Sequence, residues 1–365
     1  MVVGYAVGGK LRTTGEHFFV SCVMRIFFPF QRAAMNRFVI FFVILVPTLL
    51  IGQEKPSLQQ KDRVRIAEAF RLAERVGNTV WESWDKAPFA FLLVTPEYEF
   101  LLHHPNPSDD FLPLGYDEFL KTEIRYRKRV YSPQLLATFP AVNGEQTIVI
   151  GQAENTMAKS STPWVVVALH EHFHQLQYAR PDYYPDVEKL QLSRGDQSGM
   201  WMLNYPFPYD SAVVTTAFSR LCSLLASALK AREGESLRSE VDRYLEARRE
   251  FKNLLTENDY RYFSFQLWQE GIARYTEYRV AGLASKGYVP SSEFQKLPDF
   301  TPLETVAVSL RKGIVDILPT LNLAESKRSA FYPFGAAEGL LLDAVNPRWQ
   351  EEYFQQKFDL EKYFR

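Results

Sequence analysis

Cysteine, histidine and excess charge of either sign are all scarce in this chain. Its 365 residues include two cysteines and six histidines, and 42 basic side chains nearly balance 43 acidic ones, for a net charge of −1. This balance excludes the basic surface that nucleic-acid binding requires, so we expect no nucleic-acid partner. Two cysteines cannot build a disulfide framework. Cys222 lies in an apolar helical pattern and is predicted to be a buried thiol.

Long apolar runs are scarce too, and the one that stands out covers residues 38–52, 15 residues without a charge. It is shorter than the roughly 20 residues of a membrane-spanning helix. Arg37 precedes the run and a polar stretch follows it, which is the layout of a secretory signal peptide. A signal peptide normally begins close to the start of the chain, yet 34 residues precede Met35 here, so we expect Met35 to be the true start. Residues 1–52 are then an N-terminal extension and signal peptide, and the protein is secreted or periplasmic.

Export would change the charge of the chain. Residues 1–52 contain five basic side chains and one acidic side chain, so their loss lowers the net charge from −1 to −5. A mildly acidic protein has no affinity for anionic membrane surfaces. The only membrane contact that we expect is an uncleaved signal acting as an anchor, which is the alternative to cleavage.

Hydrophobic patterning predicts strands early in the chain and helices later. Two strand pairs are expected, around Thr95-Pro96-Glu97 and around Asn143-Gly144, a dipeptide that favours a type I′ hairpin turn. Helical spacing of apolar residues predicts helices over residues 59–85, 162–178, 210–231, 236–256, 260–284, 302–318 and 330–345. The predicted fold class is α+β. One domain over residues 53–365 has a small mixed helix and sheet lobe (53–160) and a larger helical lobe (161–365).

The strongest motif is H-E-x-x-H, formed by His170, Glu171 and His174 within a predicted helix. Residues four apart lie on one helix face, about 5–6 Å apart at Cβ, so both imidazoles can reach one tetrahedral Zn²⁺. Glu171 is placed to take a proton from a zinc-bound water. His172 points about 200° away from His170 and is expected to be structural. The alternative is that these histidines are core or surface residues that bind no metal.

A catalytic zinc needs a third protein ligand and an open position. No histidine follows His174, so the third ligand is a downstream carboxylate or one of His103 and His104. Gln177 and Arg180 stand where a metzincin has glycine and histidine, which excludes that class.

Glu270 is the strongest downstream carboxylate. It lies in an aromatic helical segment, where a buried carboxylate needs a partner or a metal. Gly271 beside it permits another helix to approach closely, and Glu277 lies two helical turns later on the same face. The alternative is a surface ion pair between Glu270 and Arg274, four residues apart.

With these residues the sequence resembles the gluzincin zinc peptidases. H-E-x-x-H followed by Glu270-Gly271-Ile272-Ala273 is similar to the two ligand helices of aminopeptidase-N-type and related enzymes, over about thirty residues. The resemblance implies a zincin-like fold with the metal site in a cleft between the two lobes. It assigns His170, His174 and Glu270 as the zinc ligands and Glu171 as the general base. Glu277 matches a residue that orients a ligand histidine. The two motifs are farther apart than in aminopeptidases and no G-x-M-E-N sequence occurs, so aminopeptidase activity is not expected.

Two further features are candidates for a role in catalysis. A zinc peptidase needs a donor to the oxyanion that forms at the attacked carbonyl. Tyr332, just before a glycine- and alanine-rich helix, is the first candidate, and Tyr262, Tyr275 and Tyr278 compete with it; for each, simple packing is the alternative. The strand over residues 146–150 precedes the motif helix. As an exposed edge it would pair with an extended peptide; otherwise it is an ordinary hairpin arm.

The sequence therefore predicts a zinc-dependent hydrolase, and specifically a peptidase that acts on a peptide or protein substrate with a zinc-bound water activated by Glu171. Two alternatives stay open. One is a zinc hydrolase with a non-peptide substrate, and the other is a non-catalytic binding protein that keeps the fold. The intact Glu171 argues against the second.

Overall fold

A six-stranded mixed sheet precedes a mainly helical region in the computed structural model, which describes residues 55–364. The predicted extension and signal peptide, residues 1–52, lie outside the described residues, so export stays a prediction. The described residues from Pro56 onward belong to one compact unit. The predicted α+β class is confirmed. The zincin-like arrangement of two lobes around a cleft stays a prediction.

The sheet is buried on both faces at its centre. Its strands are β1 (Phe91–Val94), β2 (Tyr98–Leu102), β3 (Leu112–Asp117), β4 (Thr122–Lys128), β5 (Leu136–Val142) and β6 (Glu145–Gly151). Their order is β3-β4-β2-β1-β6-β5, with β1 and β6 parallel and every other pair antiparallel. Side chains of β1 alternate between two apolar clusters, Phe91 and Leu93 on one face and Leu92 and Val94 on the other.

Both predicted hairpins are confirmed. β1 and β2 pair on either side of Thr95–Glu97. Asn143 and Gly144 join β5 to β6 with φ angles of 44° and 79°; both are positive, as a type I′ turn requires. β3 and β4 are not predicted by the sequence patterns. β3 is mostly exposed and contains Pro113 and Gly115, so it lacks the alternation by which a strand is recognised.

Of the two possibilities that the sequence left open for residues 146–150, the exposed edge is excluded and the hairpin arm is what the structure shows. β6 pairs with β1 on one side and with β5 on the other, so its backbone groups are already used. The edge strand on this side of the sheet is β5. The sequence could not decide between them, because the parallel pairing of β6 with β1 joins segments more than fifty residues apart, which local patterning does not report.

Thirteen α-helices lie in the part of the chain that the structure describes. They are α1 (Gln60–Val80), α2 (Ser161–Tyr178), α3 (Tyr183–Lys189), α4 (Trp201–Asn204), α5 (Ala212–Lys230), α6 (Glu235–Asn253), α7 (Glu257–Gln266), α8 (Ile272–Ala284), α9 (Ser292–Gln295), α10 (Leu303–Val315), α11 (Leu323–Ser326), α12 (Phe331–Val345) and α13 (Trp349–Glu352). The seven predicted helices are present. The helix predicted over 260–284 differs most, because one π-helical turn, Leu267–Gly271, joins α7 to α8.

The motif helix α2 lies at the centre of the main core. It packs against α1, α8, β5 and β6, and 15 of its 18 residues are buried. A helix buried to this extent carries its polar side chains inside with it, and each of them needs a partner there.

Helix α5 is the one described helix that is long and apolar enough to cross a membrane. A core helix of a soluble protein passes the same test, and Phe218, Leu221 and Leu225 of α5 are fully buried against their neighbours. Cys222 of this helix is buried as predicted, and burial raises the pKa of its thiol.

Helix α12 crosses the π turn at a contact between two glycines. A Cβ placed on Gly335 would lie 2.8 Å from the Cα of Gly271 and 2.9 Å from the carbonyl oxygen of Leu267. These are backbone atoms and cannot rotate away, so no larger residue fits at this approach. The close helix approach expected at Gly271 is confirmed.

We predict that Gly335→Ala lowers the free energy of unfolding by about 2 kcal/mol, because the added methyl group forces α12 away from the π turn. Gly313→Ala in α10 is the matched control, since a Cβ there meets no atom within 4 Å. It should be neutral or stabilise the protein by up to about 1 kcal/mol. Urea unfolding of the three proteins measures both effects. Equal stability of the two variants would contradict the packing described.

Candidate metal centre

Three buried side chains converge on one point: His170 and His174 from α2, and Glu270 from the π turn. The Nε2 atoms of the two histidines are 3.2 Å apart. Oε2 of Glu270 lies 3.4 Å from Nε2 of His174 and 4.0 Å from Nε2 of His170. The point that is equidistant from these three atoms and lies in their plane is about 2.1 Å from each, which is the length of a bond from imidazole nitrogen or carboxylate oxygen to a metal ion. This group can hold a metal ion.

The charge state of Glu270 suits a metal ligand. Its Oε2 is buried and has no hydrogen-bond partner among the described residues, although a buried carboxylate oxygen without a donor is costly. Burial favours the neutral form. The neighbouring His174 and Arg328 outweigh it and hold the pKa of the carboxyl well below its usual range. A cation at the equidistant point would satisfy this oxygen.

The π turn directs two consecutive side chains toward α2. π turns add one residue to a helical turn and are frequent at functional sites. Besides Glu270, the turn presents Gln269, whose Nε2 lies 3.2 Å from Nδ1 of His174 and donates to Oε1 of Gln177 at 3.0 Å. A regular helix would rotate one of these adjacent residues away from α2.

Each ligand histidine is held through its second ring nitrogen. Nδ1 of His170 lies 2.8 Å from Oε1 of Glu277, and Nδ1 of His174 lies 2.7 Å from Oε1 of Gln177. These contacts fix the orientation of the rings and leave both Nε2 atoms facing the metal position. Glu277 also forms an ion pair with Arg274. Burial opposes its ionisation, but Arg274 and His170 keep the pKa of Glu277 below its usual value.

The alternative assignments of the third ligand find no place in this geometry. Arg274 pairs with Glu277, whereas Glu270 faces the two histidines. The ring of His103 stacks on Phe70, with centroids 4.5 Å apart, and takes no part in the metal-binding group.

His172 lies away from the centre, as expected. Its ring stacks on Phe89 with centroids 3.8 Å apart and on Trp84 at 5.5 Å, and its Nδ1 lies 2.9 Å from Oε1 of Gln175. Burial lowers the pKa of His172 to about 4, so the imidazole is neutral within this aromatic stack.

Glu171 is held from the edge strand. Thr138 on β5 donates its hydroxyl to Oε2 of Glu171 at 2.8 Å, or to the carbonyl oxygen of the same residue at 2.9 Å. Glu171 is thus fixed next to His170 without joining the metal-binding group. The sequence analysis missed Thr138, because it lies 33 residues before Glu171 on a strand and only the tertiary fold joins them.

Tyr332 lies in the first turn of α12, beside the centre. Its ring is parallel to that of His170 with centroids 6.5 Å apart, and its hydroxyl accepts a hydrogen bond from Arg328 at 2.8 Å. Burial and the charge of Glu270 raise the pKa of Tyr332 well above its usual range, so the hydroxyl stays protonated. Two competing tyrosines donate elsewhere, Tyr262 to a backbone carbonyl and Tyr275 to a carboxylate.

Arg328 is a second residue that the sequence analysis gave no role. Its Nη1 lies 3.5 Å from Oε1 of Glu270, on the side of that carboxylate away from the unpartnered oxygen. It precedes α12, about sixty residues from Glu270, so its place at the centre follows from the crossing of α12 and the π turn.

Comparison of the chain with protein-family models found no match, and neither curated proteins nor solved structures gave a significant one. The metal-binding group is therefore supported by the geometry of its own residues.

We predict that the purified protein binds about one divalent metal ion per chain, and that His174→Ala and Glu270→Gln each abolish tight binding because two ligands do not hold the ion alone. His172→Phe is the control, since it changes a histidine of the same helix that faces the aromatic stack. It should keep the metal. Elemental analysis after dialysis measures all four proteins, and full metal content in Glu270→Gln would exclude it as a ligand.

We predict that Glu277→Gln weakens metal affinity by about 10- to 100-fold without changing the number of ions bound. The amide can still contact His170, but it removes the negative charge that makes the imidazole a better ligand. Competition with a chromophoric chelator measures the affinity. Glu188→Gln, on the exposed side of α3, is the control and should leave it unchanged.

Proposed function

We propose that the protein is a zinc-dependent hydrolase and, more specifically, a peptidase. The observation that carries this proposal is the placement of Glu171. A carboxylate that is not a ligand is held by Thr138 directly beside a group of two histidines and one glutamate. A centre that only stored or transported a metal would have no use for an acid held next to it in this way.

Zinc is the ion that this donor set suits best. Two imidazole nitrogens and one carboxylate oxygen are a common set for catalytic zinc, and three protein ligands leave a fourth position open. When bound, zinc polarises a carbonyl group and makes a water molecule acidic near neutral pH.

The protein's own residues supply the remaining steps. Thr138 holds one oxygen of Glu171, and the carboxylate accepts the proton of the attacking water and passes it to the leaving nitrogen. Tyr332, protonated and beside Glu270, donates to the oxygen on which negative charge develops. Glu277 and Gln177 hold the two ligand rings in place throughout.

A peptide substrate is supported by the edge strand and by the motif resemblance. Among the described strands β5 is paired on one side only, and it carries Thr138, which contacts Glu171. An extended peptide that added to β5 by backbone pairing would pass next to this carboxylate. The resemblance of the two ligand segments to gluzincin peptidases points to the same substrate class.

We predict that the zinc-loaded protein cleaves members of a random peptide library and that Glu171→Gln lowers the rate by about 10²- to 10⁴-fold while zinc content stays the same. The change removes the base and keeps the size of the side chain. Mass spectrometry of the library before and after incubation gives the readout, with Glu188→Gln as control.

The outcomes separate the candidate functions. Unchanged cleavage in Glu171→Gln would refute the role of this carboxylate. If the wild type cleaves no peptide, the proposal of a peptidase is refuted. Esters and non-peptide amides then test whether the protein hydrolyses another class of substrate. If these also stay uncleaved, a non-catalytic binding protein is favoured.

A further inference from the structure

Arg328 places a guanidinium group beside the metal centre. The proposed reaction does not use this group. It lies in the turn that precedes α12, and its side chain is 14% exposed. Nη1 donates to the hydroxyl of Tyr332 at 2.8 Å and lies 3.4 Å from Oε1 of Gln266 and 3.5 Å from Oε1 of Glu270. The last two distances are at the outer limit of a hydrogen bond.

Most of the donors of Arg328 are unused. Guanidinium has five N–H groups in a planar fork that matches a carboxylate. Among the described residues, every hydrogen-bond acceptor of Arg328 contacts Nη1. Nε and Nη2 have no hydrogen-bond acceptor among the described residues and are not fully buried. Three N–H groups of Arg328, beside the metal-binding group, are therefore free to donate to a ligand.

The charge balance of the centre changes when a metal ion is added. Without it, three carboxylates (Glu171, Glu270 and Glu277) face two guanidinium groups (Arg274 and Arg328), which leaves one excess negative charge. A divalent ion turns this into one excess positive charge. Arg274 keeps its ion pair with Glu277, whereas the carboxylate opposite Arg328 becomes a metal ligand. The uncompensated positive charge is then that of Arg328, in surroundings where burial strengthens its attraction for an anion.

We propose that Arg328 binds a carboxylate group of the substrate close to the bond that is cleaved. The inference deepens the proposed function, on which it depends, by naming a substrate class: peptides with an acidic side chain or a free C-terminal carboxylate next to the scissile bond. Arg328 is a binding residue in this account. The alternative is that Arg328 only neutralises the charge of Glu270. A metal ion bound to Glu270 would neutralise that charge itself, and Arg328 would then have no such role.

Matched peptides test the proposal. Each peptide that the library identifies is made in four forms, with glutamate or glutamine next to the cleaved bond and with a C-terminal acid or amide. We expect the wild type to prefer the form with the relevant carboxylate by at least about tenfold in kcat/KM, because a charge-assisted bidentate pair is lost in the amide form. The glutamate and glutamine pair identifies a side-chain carboxylate, and the acid and amide pair identifies a C-terminal one.

Variants locate the preference. Arg328→Met should abolish it, chiefly by raising KM for the carboxylate form, and Arg328→Lys should keep part of it, because the charge remains and the fork is lost. Arg311→Met, an exposed arginine of α10, is the control and should keep the full preference. Zinc content of Arg328→Met should equal that of the wild type. A preference that survives in Arg328→Met, or a wild type without one, overturns the proposal.

A binding measurement separates this inference from the peptidase itself. Zinc-loaded Glu171→Gln is titrated calorimetrically with four forms of one short peptide that is chosen without reference to cleavage: glutamate or glutamine near its C-terminus, each with a C-terminal acid or amide. Tighter binding of the carboxylate form, lost when Arg328→Met is added, supports the inference even if no peptide is cleaved. Cleavage without any carboxylate preference refutes the inference and leaves the peptidase standing. If Glu171→Gln binds all four forms equally and the wild type cleaves no peptide, both the inference and the peptidase proposal are refuted.

Discussion

Burial of α2 is the constraint on which the rest of this structure depends. The helix carries two ligand histidines and two glutamine side chains into the core, where a polar group without a partner is costly. The surrounding elements supply the partners. Gln175 donates to two backbone carbonyls at the sheet, and Gln177 donates to the hydroxyl of Tyr353. The Nε2 atoms of the two histidines and one oxygen of Glu270 face one another.

The contact between α12 and the π turn completes the centre. The two glycines let the backbones touch, which places the start of α12 over Glu270. Arg328 and Tyr332 consequently lie close to the carboxylate of the candidate metal centre, although about sixty residues of chain separate them from it. The same contact thus serves packing and chemistry, so a substitution made there for stability would also move two side chains of the site.

Local patterns in the sequence predicted what depends on neighbouring residues. The H-E-x-x-H spacing placed His170 and His174 on one helix face, and the Asn143-Gly144 dipeptide gave the turn between β5 and β6. Glu270 could be selected because a carboxylate in an aromatic helix must have a partner.

The contacts that only tertiary structure creates could not be predicted. Thr138, Gln177 and Arg328 are ordinary residues in the sequence, and their roles arise from segments that meet in the folded chain. The parallel pairing of β6 with β1 is of the same kind, and it makes β6 an interior strand and β5 the edge of the described sheet. The π turn could not be predicted either, since the sequence there reads as continuous helix.

The distance along the chain between the ligands has a consequence for folding. His174 and Glu270 come from helices almost one hundred residues apart, so an unfolded chain cannot bring them together without a large loss of loop entropy. An ion that binds at this centre binds the native state almost exclusively. At a free concentration of one hundred times its dissociation constant it would add about 2.7 kcal/mol to stability. The stability of the folded protein would then depend on the concentration of free metal ion in its compartment. A chelator that removed the ion would lower that stability, as a denaturant does.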